Sequence, residues 1–170
     1  MEYVIADLHF GDENIRKYEN RPFVSTDEMD KALIHNWNSV ITPKDIVYVL
    51  GDVSFYDKER TVKLIKSLKG TKVLVMGNHD WEHSEQYWRD VGFDSAYRQQ
   101  GILIHNWLWL CHQPPEYTMK EMPWRIAYGH VHSSEIYPTI TKNTVCVCAE
   151  RWDYTPVAIK YIEGLWNTIK

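Results

Sequence analysis

Short apolar runs alternate with longer amphipathic ones through the first half of the chain. "YVIADL" (3–8), "DIVYVL" (45–50) and "KVLVM" (72–76) are apolar over most of their length and bounded by turn residues. Runs of that kind read as strands buried on both faces. In the segment 24–41, Met29, Leu33, Trp37 and Val40 instead recur at helical spacing, and Ser25 with Glu28 forms a capping box. Asp57 is placed to cap a second helix through Leu68, which Gly70 ends. The resulting β-α-β-α-β order predicts a parallel sheet with right-handed crossovers.

The pattern changes in the second half. "GILIHNWLWLCH" (101–112) reads as two strands around the turn residues His105 and Asn106, followed by a proline-bearing loop. Further short strands are expected at "RIAYG" (125–129), "TVCVCAE" (144–150) and "VAIKYI" (157–162), with a terminal helix near "EGLWNTI" (163–169). This predicts a second, largely antiparallel sheet packed on the first.

Composition narrows the class. With 170 residues, 44% of them hydrophobic, and 8 Trp and 11 Tyr, the chain can bury the core of one domain spanning 1–170. Met1 leads straight into the first strand without a signal-type segment, and no apolar run approaches membrane-spanning length, so a soluble, cytoplasmic protein with no membrane partner is expected. Cys111, Cys146 and Cys148 lack zinc-knuckle spacing. Cys146 and Cys148 alternate within one strand and so share a face, as reduced core residues would. A net charge of -4 gives no footprint for long nucleic acid, although a local positive site could still attract a phosphate.

The chemistry gathers where the expected strands stop. Asp7-Leu8-His9, Gly51-Asp52, Gly77-Asn78-His79-Asp80, Cys111-His112 and Gly129-His130-Val131-His132 each end an apolar run with a residue able to bind a metal. One such ending is commonplace, because a lone histidine is more often a structural residue; five in one chain are not. In the Asp-x-His and His-x-His pairs, side chains two apart on extended backbone face the same way and can converge on one centre. Glycines ahead of Asp52, Asn78 and His130 allow tight turns that aim the next side chain into a shared pocket.

The ordered set D-x-H, G-D, G-N-H-[DE], H and G-H-x-H, covering residues 7 to 132, resembles the calcineurin-like metallophosphoesterases. "FGDENI" and "RPF" resemble a compact bacterial and phage subgroup of it. The resemblance implies an α/β fold of two packed mixed β-sheets flanked by helices, an αββα sandwich. It also implies a binuclear metal centre, with Asp7, His9, Asp52 and His132 on one ion, Asp52, Asn78, His112 and His130 on the other, and Asp52 bridging. In such a site a hydroxide between the metals attacks phosphorus, while His79 protonates the departing alkoxide or bonds the phosphoryl oxygens. Many relatives place an acid three residues after the G-D aspartate to orient that imidazole, but Phe55 stands there, and Asp80 is the candidate to replace it.

Two divalent cations set against two carboxylates and one hydroxide leave a site charge of about +1, suited to an anionic ester. The donor mixture suits Mn²⁺ first, with Fe or Zn²⁺ as alternatives. Arg16 and Arg21 are candidate phosphate contacts, with Asn14 and Tyr18 of similar standing, and Tyr117 and Trp124 are candidates to stack on a base. A small phosphoester or nucleotide-type compound is therefore the expected substrate, with a phosphodiester favoured over a monoester. The competing readings are a phosphomonoesterase acting on proteins or small molecules, and a catalytically weak metal-binding scaffold, against which the intact His79 argues.

Overall fold

A computed structural model of the chain describes residues 1–114 and 123–169. Strands β1 (Glu2–Ile5), β2 (Ile46–Val49), β3 (Thr71–Val75) and β4 (Ser95–Tyr97) lie parallel in the order β4-β3-β2-β1. Strands β5 (Ile102–Ile104), β6 (Leu108–Cys111), β7 (Arg125–Tyr128) and β8 (Thr144–Cys146) form the second sheet in sequence order. The two-residue β9 (Val157–Ala158) returns to the first sheet, antiparallel to β1. The helices are α1 (Glu13–Tyr18), α2 (Thr26–Val40), α3 (Lys58–Ser67), α4 (Glu85–Val91) and α5 (Ile159–Trp166).

The continuous apolar runs are explained by burial on both faces of the first sheet. Tyr3, Ile5, Val47, Val49 and Leu74 point outward into a core shared with Met29, Leu33 and Trp37 of α2, Ile65 of α3, and Trp88 and Val91 of α4. Val4, Tyr48, Leu50 and Val75 point inward and meet Leu108, Leu110, Ala127 and Val145 of the second sheet. Each large side chain buried this way contributes about 1.5–3 kcal/mol, which fixes the strand register and therefore the level at which each strand ends. Ser25 caps α2 by accepting from the Glu28 N–H, and Asp57 caps α3 by accepting from the Arg60 N–H, as their sequence contexts predict.

The αββα arrangement of two mixed sheets is present, but the second sheet departs from the largely antiparallel pairing expected of it. Only β5 and β6 run antiparallel; β6, β7 and β8 are parallel to one another. An apolar run buried on both faces carries no mark of strand direction. The segment 157–162 is also mostly helical, because Ile159, Ile162 and Trp166 line one face of α5 and pack into the core between the sheets. Helices α1 and α4 and strand β4 are further elements that the apolar pattern did not reveal, α1 for the plain reason that it buries no residue. Cys146 and Cys148 share a face as expected, buried and unoxidised with their sulfurs 3.3 Å apart. No helix among the described residues is long and apolar enough to cross a membrane.

Candidate metal centre

Where β1 and β2 stop, the chain does not diverge. His9 N–H donates to the Asp52 carbonyl at 2.9 Å, and Phe10 N–H to the Val53 carbonyl at 3.0 Å, so the two strand extensions stay braced together. Ala6 N–H donates across to the carbonyl of Val147, just past β8, at 2.8 Å, and the Gly129 N–H to the His112 carbonyl at 2.9 Å. Both sheets thus deliver their carboxyl ends to one place, the position at which parallel sheets carry functional groups.

The turns there are made by the functional residues themselves. Asp7, His9, Asp52, His130 and His132 all have positive φ, between 47° and 74°. Non-glycine residues in that region cost about 1–3 kcal/mol each and persist where the surroundings over-determine them. Of the glycines ahead of the ligands, Gly51 is needed for its φ of 85°, whereas Gly77 and Gly129 are needed for space. A Cβ on Gly77 would lie 2.2 Å from Asp52 Oδ1, and one on Gly129 2.6 Å from Asp7 Oδ2.

Two groups of donor atoms result. Asp7, His9 and His132 offer atoms all within 4.8 Å of one another, and Asp52, His112 and His130 do the same. Asp52 faces both, its Oδ2 standing 3.6 Å from His9 Nε2 and 3.4 Å from His112 Nε2. Asn78 Oδ1 lies 2.9 Å from His112 Nε2, and His130 Nδ1 lies 3.1 Å from it.

The tautomers follow from what holds each ring from behind. His112 Nδ1 sits 2.7 Å from the Leu50 carbonyl, which can only accept, so Nδ1 carries a proton and Nε2 is the atom turned toward the cluster. His9 Nδ1 is likewise held by Asp12 at 2.9 Å and His132 Nδ1 by Glu150 at 3.1 Å. This arrangement, in which a second group fixes the ligand's tautomer and aim, is characteristic of metal-binding histidines. Asp12 and Glu150 are the two supporting residues that the sequence did not single out. Asp12 also caps α1 through its other oxygen, which accepts from the Asn14 and Ile15 N–H groups at 2.9 and 3.2 Å.

The donor set fits divalent cations. Asp7 Oδ1 and His9 Nε2 are fully buried without a hydrogen-bond partner, although buried polar atoms are otherwise nearly always satisfied. Acceptors of one sign facing each other across a shared space are what a cation would satisfy. The ionisation pattern agrees. Burial works against a charged His9, but the hydrogen bond to Asp12 and the nearby charges of Asp52 and Asp7 outweigh it and raise its pKa to about 9. Burial likewise works to raise the Asp52 carboxyl, and the imidazoles of His9 and His112 beside it, with the bond from the His79 N–H, hold it at about 2. In the metal-free cluster His9 is thus drawn toward its charged form, while burial lowers the pKa of His130.

Residues 3–160 match the family model described as calcineurin-like phosphoesterase. The chain belongs to that family. An uncharacterized protein of Methanocaldococcus jannaschii, MJ1445, is 37% identical over 169 residues, spanning 96% of this chain and 89% of its own. The gene 66 protein of Mycobacterium phage D29 is 26% identical over 80% of each chain. Among solved structures, the Aquifex aeolicus protein AQ665, itself described as of unknown function, superposes with a TM-score of 0.72 at 27% identity, covering 97% of this chain and 98% of that one. The family implies divalent metal ions, and the two Asp/His groups are where this member could hold them.

The remaining candidates fall in different places. His79 sits at the rim, exposed, its N–H donating to Asp52 Oδ1 at 3.1 Å and its ring 5.7 Å from that of His9. Asp80 is buried, and it acts on backbone: Oδ2 accepts from the Asp52 and Gly77 N–H groups, both at 2.8 Å, and Oδ1 from Val53 at 3.0 Å. Its carboxylate ties the ends of β2 and β3 together, and burial pushes its pKa up to about 6 against the pull of those three bonds.

Arg21 is 3% exposed, with Nε and Nη2 on Glu150 Oε1 at 2.9 and 2.6 Å, Nη2 also on the Asp7 carbonyl at 2.7 Å, and Nη1 on the Leu8 carbonyl at 3.0 Å. Arg16 is spent on Glu13 and the Phe23 carbonyl. Neither guanidinium is left pointing at the donor groups. Asn14 lies in the first turn of α1, and Tyr18 at its end is among the most exposed apolar side chains. Trp124 stacks on Trp109 with ring centroids 5.6 Å apart, and Tyr117 lies outside the described residues.

Proposed function

We propose that this protein is a metal-dependent phosphodiesterase acting on small or nucleotide-type phosphoesters, with two divalent ions held by Asp7, His9, Asp52, Asn78, His112, His130 and His132. Mn²⁺ is the first candidate, with Fe or Zn²⁺ as alternatives. The observation that carries the reading is the buried pair of unsatisfied atoms, Asp7 Oδ1 and His9 Nε2, beside two groups of convergent ligands that both face Asp52. Divalent ions bound there supply Lewis acidity, polarising a phosphoryl oxygen and making water acidic enough to act as the nucleophile.

The chain's own residues account for the rest. Asp12, Glu150 and the Leu50 carbonyl hold His9, His132 and His112 in the tautomer that leaves the opposite nitrogen free. His79 is exposed beside the cluster, and its ring has no hydrogen-bond partner among the described residues, so it is available to hold a proton for the departing oxygen. A general acid in that role contributes about 10²–10⁴-fold. Asp80 serves as a positioning residue through the backbone of Asp52 and Gly77.

Preference for diesters rests on how the candidate arginines are engaged among the described residues. A monoester dianion calls for a dedicated cationic clamp, and both arginines that could supply one have their donors engaged elsewhere. The test is kcat/KM for matched mono- and diesters sharing one nitrophenyl leaving group, measured with Mn²⁺. A diester preference is expected. A monoester preference of tenfold, about 1.4 kcal/mol in transition-state stabilisation, would overturn it.

A further inference from the structure

One side chain at the rim has chemistry that neither metal binding nor proton transfer uses. Phe55 is 44% exposed, yet it is not on a loose loop. Its N–H donates to the Phe10 carbonyl at 2.9 Å, and Ser54 bridges to Phe10, so the ring is mounted on the braced extensions of β1 and β2. It lies nearly parallel to the His9 ring, 14° between planes with centroids 5.2 Å apart, and 5.0 Å from the ring of His79. Scattered exposed apolar residues are ordinary; a rigidly held one packed on a candidate metal ligand and on the candidate proton donor is in a different position.

Neighbouring aromatic residues are already occupied. The Tyr56 ring is covered by the Arg60 guanidinium at 3.7 Å and packs against Gly11, where a Cβ would lie 2.4 Å from it. Trp81 has the Arg98 guanidinium 5.5 Å over its ring. Phe55 offers no donor or acceptor, so it can do nothing for a phosphoryl group. What it can offer a ligand whose phosphate lies at the Asp/His cluster is a flat apolar surface alongside.

We propose that Phe55 is the floor of a subsite for a flat aromatic group carried on the phosphoester, so that the preferred substrates are base-bearing, nucleotide-type esters rather than alkyl or sugar phosphates. The inference rests on the phosphoesterase reading for where the phosphate sits. Base stacking on a protein aromatic ring is sequence-tolerant, because every base has a π face. The subsite therefore selects nucleotides as a class and not one base.

The test is equilibrium binding to the Zn²⁺-loaded protein, comparing nucleoside 5′-monophosphates with ribose 5-phosphate by calorimetry. The wild-type protein is expected to bind the base-bearing ligand at least about tenfold more tightly. Phe55→Leu, which keeps apolar cover over His9 without a π face, should bring that ratio near one, and Phe55→Tyr should retain it. A measurement on the unaltered protein stands beside the variants: with only 4 Phe in the chain, ring-labelled Phe signals should show one residue shifting with the nucleotide and not with ribose phosphate. Equal or undetectable binding of the two ligands, or a preference that survives in Phe55→Leu, would overturn the proposal. If the base preference holds while the Mn²⁺-loaded protein turns over neither mono- nor diesters, the hydrolytic reading fails by itself.

Discussion

Arg21 and Glu150 are 129 residues apart in sequence and form an ion pair whose side chains are 0% and 5% exposed. Glu150 Oε1 takes two guanidinium bonds and also faces His132 Nδ1, while Arg21 binds the Asp7 and Leu8 carbonyls. Replacing Arg21 with Met keeps the length of the side chain and removes every donor. Two carbonyls would lose a partner, at about 1–3 kcal/mol each, and a buried carboxylate would lose its counter-charge, for which deletions typically cost about 3–5 kcal/mol. These losses overlap, so a destabilisation of about 4 kcal/mol is expected for Arg21→Met. In the double variant Arg21→Met/Glu150→Leu no charge is left stranded, and at least about half of that loss should return. Urea unfolding of the four proteins of the cycle, all metal-free, measures both quantities. A cost under about 1 kcal/mol for Arg21→Met, or double-variant losses that simply add, would refute the reasoning. A stable Arg21→Met protein with weakened phosphoester binding would instead restore Arg21 as a phosphate contact.

Glu150→Gln should weaken metal uptake about 10- to 100-fold through the loosened His132 ring while Asp52→Asn weakens both sites, checked by elemental analysis against metal concentration. At saturation the wild-type chain should hold two ions, and a folded sample saturating at one would end the binuclear reading. His79→Asn should keep its metals and lose more rate on alkyl esters than on nitrophenyl esters, which hardly need a proton; equal losses would remove His79 from the general-acid role. Gly77→Ala puts a methyl 2.2 Å from Asp52 Oδ1 and 2.8 Å from its backbone nitrogen, so metal uptake should collapse, with a stability loss of about 1–3 kcal/mol by thermal unfolding.

Much of the cluster was legible because the seven candidate ligands fall at the ends of five apolar runs, and a run with its ending is a local pattern. Asp7, Asp52 and His112 could be found without knowing which strands pair. The supporting groups could not. Asp12 reads locally as a helix cap, which it also is, and its bond to His9 shows only once the turn at positive φ folds the two together. Glu150 follows a cysteine-bearing strand and meets its partners across 18 residues to His132 and 129 to Arg21, separations that no periodicity reports. Strand direction in the second sheet was hidden for a related reason: burial dictates which positions are apolar, and an apolar run reads the same in either direction.

The strained turns and the buried ion pair belong to one physical scheme. Five candidate ligands at positive φ raise the free energy of the folded chain by several kcal/mol, at about 1–3 kcal/mol each, so something must prevent relaxation. Relaxing Asp7 would break the bond its carbonyl accepts from Arg21 and the bond its Oδ2 accepts from the His130 N–H. Relaxing Asp52 would break the bonds of its N–H to Asp80 and of its carbonyl to His9. Asp7 and Asp52 are thus each held by partners distant in sequence, and the apolar contacts between the sheets keep the strand ends that carry them at the right level. On this view the inter-sheet core sets the geometry of the cluster as directly as the ligands' own neighbours do. Truncating Leu50, fully buried and two residues before Asp52, should then loosen metal binding as well as the fold, and not the fold alone.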